Sequence, residues 1–232
     1  MKWLASGTGQ ATFEDIKNTS LGKLVRDQLL NRILSGDYAP GQALRESELV
    51  EQLKVSRVPV REALRELESA GLVVSRKHSG VYVRELSDDE VKDLYQFRSV
   101  LDSHAGRTAA QLPQDEREEL VRELDTCVAA MDAAISEGNA QGYYSQNLEF
   151  HWLFIEYAGN REIAKAYRDV IQKLHLARLK NLSNEEHRVH SNAEHRQIVD
   201  ALRNVGSPQH AGAYAELLAR HVINAHERLS IM

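Results

Sequence analysis

Only one of the 232 residues is a cysteine, Cys127, which excludes a disulfide framework and any zinc site built from cysteines. No apolar run approaches the roughly 18 residues of a membrane span. The first stretch, MKWLASGTGQATFEDIKN, carries acidic residues and no sustained apolar core, so no secretory signal is expected. There is no internal repeat and no low-complexity tract. An excess of positive charge is missing too, since the formal net charge is −5. These absences leave a cytoplasmic globular protein with no membrane partner as the expectation. Its composition, 42% hydrophobic and 27% charged, and its length suit one large domain or two small ones.

The charge is unevenly spread. Residues 1–86 hold 13 Lys+Arg against 11 Asp+Glu, and the remainder holds 16 against 23. A mildly basic first part on an acidic remainder suggests two tasks. Residues 1–18 read as a flexible arm. From Leu21, apolar residues at 24, 25, 29, 30, 33 and 34 follow a helical period that stops at Gly36. APGQAL follows as a turn, and RESELVEQLKV reads as a second short helix starting near Glu46 or Ser47. A third helix lies in VSRVPVREALRELESAG, with Ser56 as its expected cap and Gly71 as its stop. After it, LVVSRKHSGVYVREL alternates as two strands around a basic tip. Three helices and a hairpin within about 65 residues make a winged helix-turn-helix, assigned to 19–86.

From 87 to 232 only helical patterns occur. SDDE opens the first of them as a capping box, Ser87 with Glu90. Breaks at Pro113, EGNAQG, AGN, LSNEE and NVGSPQ leave about six helices of roughly 15 to 24 residues. The expected fold is mainly α: a winged helix-turn-helix followed by an all-α antiparallel helical bundle.

The third helix carries more arginine in its first turns than a helix needs. Arg57 and Arg61 are four apart and share a face. Pro59 sits where a missing N–H costs nothing. One reading is a solvated face on which Arg57, Arg61 and Arg65 pair with Glu62, Glu66 and Glu68. Against it, cations are disfavoured at a helix N-terminus, and the basic hairpin tip Arg76, Lys77 and His78 follows. An arginine fork suits guanine edges and phosphates, so this face is read as aimed at double-stranded DNA.

The run from ILSGDYAPGQALRESELVEQL through KVSRVPVREALRELESAGLVV to SRKHSGVYV resembles the N-terminal domain of GntR-family transcription regulators. The resemblance implies Arg57 and Arg61 as main DNA contacts, with Ser56, Pro59, Ser47 and Arg45 around them. Lys77, His78 and Gly80 then belong to the wing tip. Val58 stands where the family usually has Thr, which removes one hydroxyl contact.

Nine of the ten histidines follow residue 100. NLEFHWLF places Asn147 and His151 at i, i+4 on one helix face. His195 lies in a later helix and His221 in the last. Three imidazoles from three helices, with an oxygen donor one turn away, can converge on a divalent metal such as zinc or nickel. For any one histidine the alternative is a surface or hydrogen-bonded core residue.

LYQFRSVLDSHAGRTAA, NLEFHWLFIEYAGN, EHRQIVDAL and AYAELLARH resemble the FCD effector domain of the FadR and VanR branch. That resemblance implies a metal held by Asn147, His151, His195 and His221, with Asn147 in place of the family's usual Asp. It also implies a small organic acid beside the metal, its carboxylate met by Arg98. An ion pair of Arg98 with Asp102 is the structural alternative, and His175 and Arg178 are expected to line the same cavity. Together these features describe a homodimeric, effector-responsive regulator that binds an inverted-repeat operator, acts as a repressor and is not an enzyme. A metal-dependent enzyme and a constitutive DNA-binding protein are the competing classes.

Overall fold

The computed structural model describes residues 20–77, 79–178, 185–205 and 210–230. The expected arm at 1–18, His78 and the side chain of Arg178 lie outside the described residues. In chain order the elements are α1 (Leu21–Ser35), β1 (Ala43–Leu44), α2 (Glu46–Leu53), α3 (Arg57–Ser69), β2 (Val73–Arg76), β3 (Gly80–Val83), α4 (Asp88–Ala109), α5 (Gln114–Ser136), α6 (Ala140–Tyr157), α7 (Arg161–Arg178), α8 (Glu185–Arg203) and α9 (Ala211–Ser230). Two compact units result, one running to Ser87 and taking in α7 from Ile171, the other formed by the remainder from Asp88.

In the first unit, the Ser20 hydroxyl accepts from the Lys23 N–H at 3.2 Å and starts α1. Gly36, at φ 85°, ends it in the left-handed conformation that glycine adopts without steric cost. Val25, Leu29, Leu30 and Ile33 of α1 form one apolar cluster with Leu49, Val60, Leu64 and Leu67 of α2 and α3. Leu176 of α7 belongs to the same cluster. The sheet has the order β1-β3-β2 and is antiparallel, pairing Leu44 with Val81 and Val74 with Tyr82. Ala43–Leu44, expected as part of a turn, is therefore a strand; two residues are too few to display an alternating pattern. Ser56 occupies the N-cap of α3 as expected, but its hydroxyl makes no capping bond.

The turn from α2 to α3 places Lys54 at φ 54°, the left-handed region that crowds any Cβ. Lys54→Gly is expected to stabilise the first unit by roughly 1 kcal/mol, measured by chemical denaturation.

The second unit is a closed arrangement of helices. α4 packs along α9 and α6, α5 packs against α6 and α8, and α8 returns to α9. Asn139 and Asn160 cap α6 and α7, their side-chain oxygens accepting from the N–H groups of Gly142 and of Glu162 and Ile163. No helix among the described residues is long and apolar enough to cross a membrane. Helices α4 and α9 approach closely at Gly106, where an added Cβ would lie 3.1 Å from Leu218 and 3.6 Å from the Ala215 backbone in α9. A branched side chain there would wedge the two helices apart. Gly106→Val is expected to cost about 1–3 kcal/mol as overpacking, read as a lower melting temperature of the full chain.

Candidate functional site

Two separate sets of residues stand out, one exposed in the first unit and one buried in the second. In the first, Arg57, Arg61 and Arg65 are exposed on α3, with Ser47 and Ser56 exposed nearby. Pro59 is buried against the unit's core, so it shapes the start of α3 and does not face solvent. Val58, flanked by this basic face, is 64% exposed. Arg61 Nε lies 2.9 Å from Glu46, and Arg45 Nη1 lies 2.8 Å from Glu48. Arg61 thus meets a carboxylate of α2, not one of its own helix as the solvated-face alternative had it. At the wing, Lys77 and Gly80 are exposed. Tyr82 fixes the tip: its hydroxyl donates to the Ser79 carbonyl at 3.1 Å, and the Arg76 guanidinium lies 4.4 Å from its ring centroid.

In the second unit, α6 supplies Asn147 and His151, α8 supplies His195 and α9 supplies His221. None of the four is more than 6% exposed. One nitrogen from each imidazole lies within 4.8 Å of the others, a geometry that can hold a metal ion. The rings crowd together, with centroids 4.5 Å apart for His195 and His221 and 5.2 Å for His151 and His221.

Every ring has an acceptor at Nδ1. His151 Nδ1–H donates to Asp102 Oδ1 at 2.8 Å, and His221 Nδ1–H donates to Glu194 Oε2 at 2.6 Å. His195 Nδ1 has a longer contact, 3.4 Å, to Asn192 Oδ1. With Nδ1 committed in this way, Nε2 is the nitrogen each ring can offer to a metal. Asn147 turns its Nδ2 to His195 Nε2 at 3.2 Å, so its amide donates to the lone pair a metal would use. Serving as an oxygen ligand requires that amide to rotate.

The carboxylates behind the rings are themselves paired. Asp102 Oδ2 accepts from Arg98 Nε at 3.2 Å, both residues fully buried on α4. The expected Arg98–Asp102 ion pair is therefore present, with His151 as a further member. Arg98 Nη2 is buried without a hydrogen-bond partner, while its guanidinium carbon lies 5.8 Å from the Tyr167 ring centroid on α7. Glu194 receives both Nη atoms of Arg228, each at 2.8 Å, and Asn224 Nδ2 at 3.1 Å.

Burial and the two neighbouring imidazoles hold His195 well below the ordinary histidine value, and burial lowers His221 with Glu194 opposing. Burial pushes the Asp102 carboxyl up to about 6 against the pull of Arg98 and His221. Burial alone would also raise Glu194, but the hydrogen bonds from Arg228 and His221 outweigh it and hold this carboxyl far below the usual range. The centre is thus three buried imidazoles, two of them held below the ordinary histidine value, backed by two carboxylates that each have an arginine.

His175 was expected to line the same cavity as Arg98. It belongs to the first unit, where its Nε2–H donates to the Leu34 carbonyl at 2.7 Å. The carbonyls of a helix's last turn lack helical partners, and this one is satisfied by the imidazole. Asn192, Glu194 and Arg228 were not among the residues expected from sequence. Their signal was their position: Asn192 is three before His195, Glu194 adjoins it, and Arg228 is seven after His221.

Residues 21–83 match the family of bacterial regulatory proteins called gntR, and residues 93–224, more than half of the chain, match the FCD domain. The chain is 30% identical over 217 residues to the probable D-xylose utilization operon transcriptional repressor of Paenarthrobacter nicotinovorans, covering 93% of this chain and 89% of that protein. It is 31% identical over 159 residues to the Nta operon transcriptional regulator of Aminobacter aminovorans, covering 66% of this chain and 74% of that one. A crystal structure of a GntR regulator from Rhodococcus sp. RHA1 shares the fold, with a TM-score of 0.73 at 22% identity over 91% of this chain and 98% of that one. The chain belongs to the GntR family of bacterial transcriptional regulators, with an FCD domain behind its winged helix, and is a regulator and not an enzyme.

Proposed function

We propose that the protein is a repressor that binds an inverted-repeat operator as a homodimer and is controlled by a small organic acid bound beside a divalent metal in the helical bundle. The observation that carries the sensing half is the set of three buried imidazoles, each with an outer acceptor on Nδ1. That donor set suits zinc or nickel, with His151, His195 and His221 as ligands and Asn147 as a fourth after its amide turns. When bound, the metal would supply a fixed positive charge for an anionic ligand.

Charge balance supports the acid. None of the four candidate ligands is an acidic side chain, and Asp102 and Glu194 are each matched by an arginine. A divalent ion therefore brings charge that nothing in its first ring of ligands offsets, which favours an anionic co-ligand. Arg98, with a buried and unpartnered Nη2, is the protein donor suited to a carboxylate.

The exposed basic face of α3 supports the DNA half. Arg57 and Arg61, with Ser47, Ser56 and Arg45 near them, would enter the major groove while Lys77, Gly80 and the wing approach the backbone or minor groove. Val58 offers only methyl groups, which suit a thymine methyl. Self-association is supported by Phe97 and Val100, 47% and 63% exposed on α4 at i, i+3. The repressor reading follows the name of the Paenarthrobacter relative.

Two experiments test this. In gel-shift titrations on operator fragments selected by the wild-type chain, Arg57→Ala and Arg61→Ala are each expected to weaken binding by about 1–3 kcal/mol if they read bases. Unchanged affinity in both would remove α3 as the reading helix. For the sensing half, protein purified without chelator is expected to carry stoichiometric zinc or nickel that His151→Ala loses. Asn147→Asp is expected to tighten zinc by about tenfold or more, because a unit charge at contact distance is worth several kcal/mol even at an effective dielectric of about 20. An equal metal content in wild type and His151→Ala would contradict the site.

A further inference from the structure

We infer that Glu194 is the positioning residue of the histidine centre: clamped by Arg228 and Asn224, it fixes the tautomer and the ring of His221 so that Nε2 faces His151 and His195. The inference rests on the proposed metal reading for its consequence, but the positioning itself concerns the metal-free chain.

The geometry separates Glu194 from the other two outer acceptors. Asn192 meets His195 at 3.4 Å, near the limit of a hydrogen bond, and is neutral. Asp102 is charged but shares itself between His151 and the buried Arg98, a pair that the folded bundle needs in any case. Glu194 instead sits between α8 and α9, and its contact to His221 is the shortest of the three. Both of its oxygens are used. Oε2 takes His221 Nδ1–H and Arg228 Nη2, while Oε1 takes Asn224 Nδ2 and Arg228 Nη1. Four donors on one carboxylate leave it a single orientation.

His221, Asn224 and Arg228 lie at successive turns of α9, so one face of that helix grips a carboxylate from α8. This arrangement sets the register of the two helices as well as the ring. A cleft of about 200 Å³ is lined in part by Glu194, His221 and Asn224, so this side of the centre is open to the surface. A carboxylate on the outer nitrogen raises the basicity of the inner one, and losing such a partner typically lowers metal affinity about 10–100-fold.

The test uses the full chain labelled with nitrogen-15 at histidine. In the metal-free wild type, His221 is expected to show the Nδ1–H tautomer. Glu194→Ala is expected to lose that signature and to bind zinc about 10–100-fold more weakly, measured by competition with a chromophoric chelator. Glu194→Gln keeps an acceptor oxygen and is expected to retain the tautomer with a smaller loss, which distinguishes positioning from a general loss of fold. Should Glu194→Ala not fold, Arg228→Gln loosens the same carboxylate and is expected to broaden or shift the His221 signals. A His221 tautomer unchanged in Glu194→Ala, or, should that variant not fold, His221 signals unchanged in Arg228→Gln, would overturn the inference. Wild-type protein that takes up no zinc while keeping the tautomer would instead overturn the metal reading and leave the positioning role intact.

Discussion

Three imidazoles cannot be buried side by side in a helical core unless each N–H has an acceptor, and the second unit is built around that requirement. A buried polar group without a partner costs on the order of 1–3 kcal/mol, so three unsatisfied rings would use up much of a domain's marginal stability. The acceptors come from helices that must close on one another to supply them: Asp102 from α4, Asn192 and Glu194 from α8. Closure of the bundle and orientation of the rings are therefore one event. The same donations leave Nε2 of each ring as the nitrogen available to the centre, so a cluster that could hold a metal follows from satisfying the rings.

Electroneutrality extends the constraint outward. Asp102 is fully buried and Glu194 largely so, and neither carboxylate stands alone: each has an arginine, Arg98 and Arg228. The two pairs differ in burial. Arg98 and Asp102 are both almost fully enclosed, whereas Arg228 and Glu194 are about a fifth exposed. Breaking the enclosed pair by removing one partner would leave a buried charge, a loss of about 3–5 kcal/mol. The partly exposed pair can be altered at a lower cost, which makes it the place where the centre can be tuned without unfolding the bundle.

Much of this was legible in the sequence, and the limits have physical reasons. The winged unit announces itself through helical periods, Gly36 as a stop, and a long arginine-bearing motif. β1 was missed because a two-residue strand has no period. The three histidines were legible because each lies on a helix with a clear apolar face, and Asn147 because it is one turn from His151. Apart from Asp102, the residues behind the rings were not, although Asn192 and Arg228 share faces with His195 and His221. Which polar residue on a face turns inward depends on which neighbour closes over it. His175 was expected beside Arg98 for the same reason in reverse: α7 looks uniform in sequence, yet its last turns belong to the first unit and give Leu176 to that unit's core.

The two halves of the chain use arginine in opposite ways, and exposure decides which. Arg61 and Glu46 are 56% and 37% exposed, so water screens their attraction and the pair contributes about 0.2–1 kcal/mol at most. A phosphate or a guanine edge can replace Glu46 at little cost, since Arg61 gives up a weak partner and gains a charge-assisted one. Arg98 has no such freedom. Its guanidinium is enclosed with Asp102, so separating the pair would leave a buried charge. An exchangeable pair on the surface suits a contact that must form and release with DNA. A fixed pair in the core suits the preformed effector site proposed for the bundle.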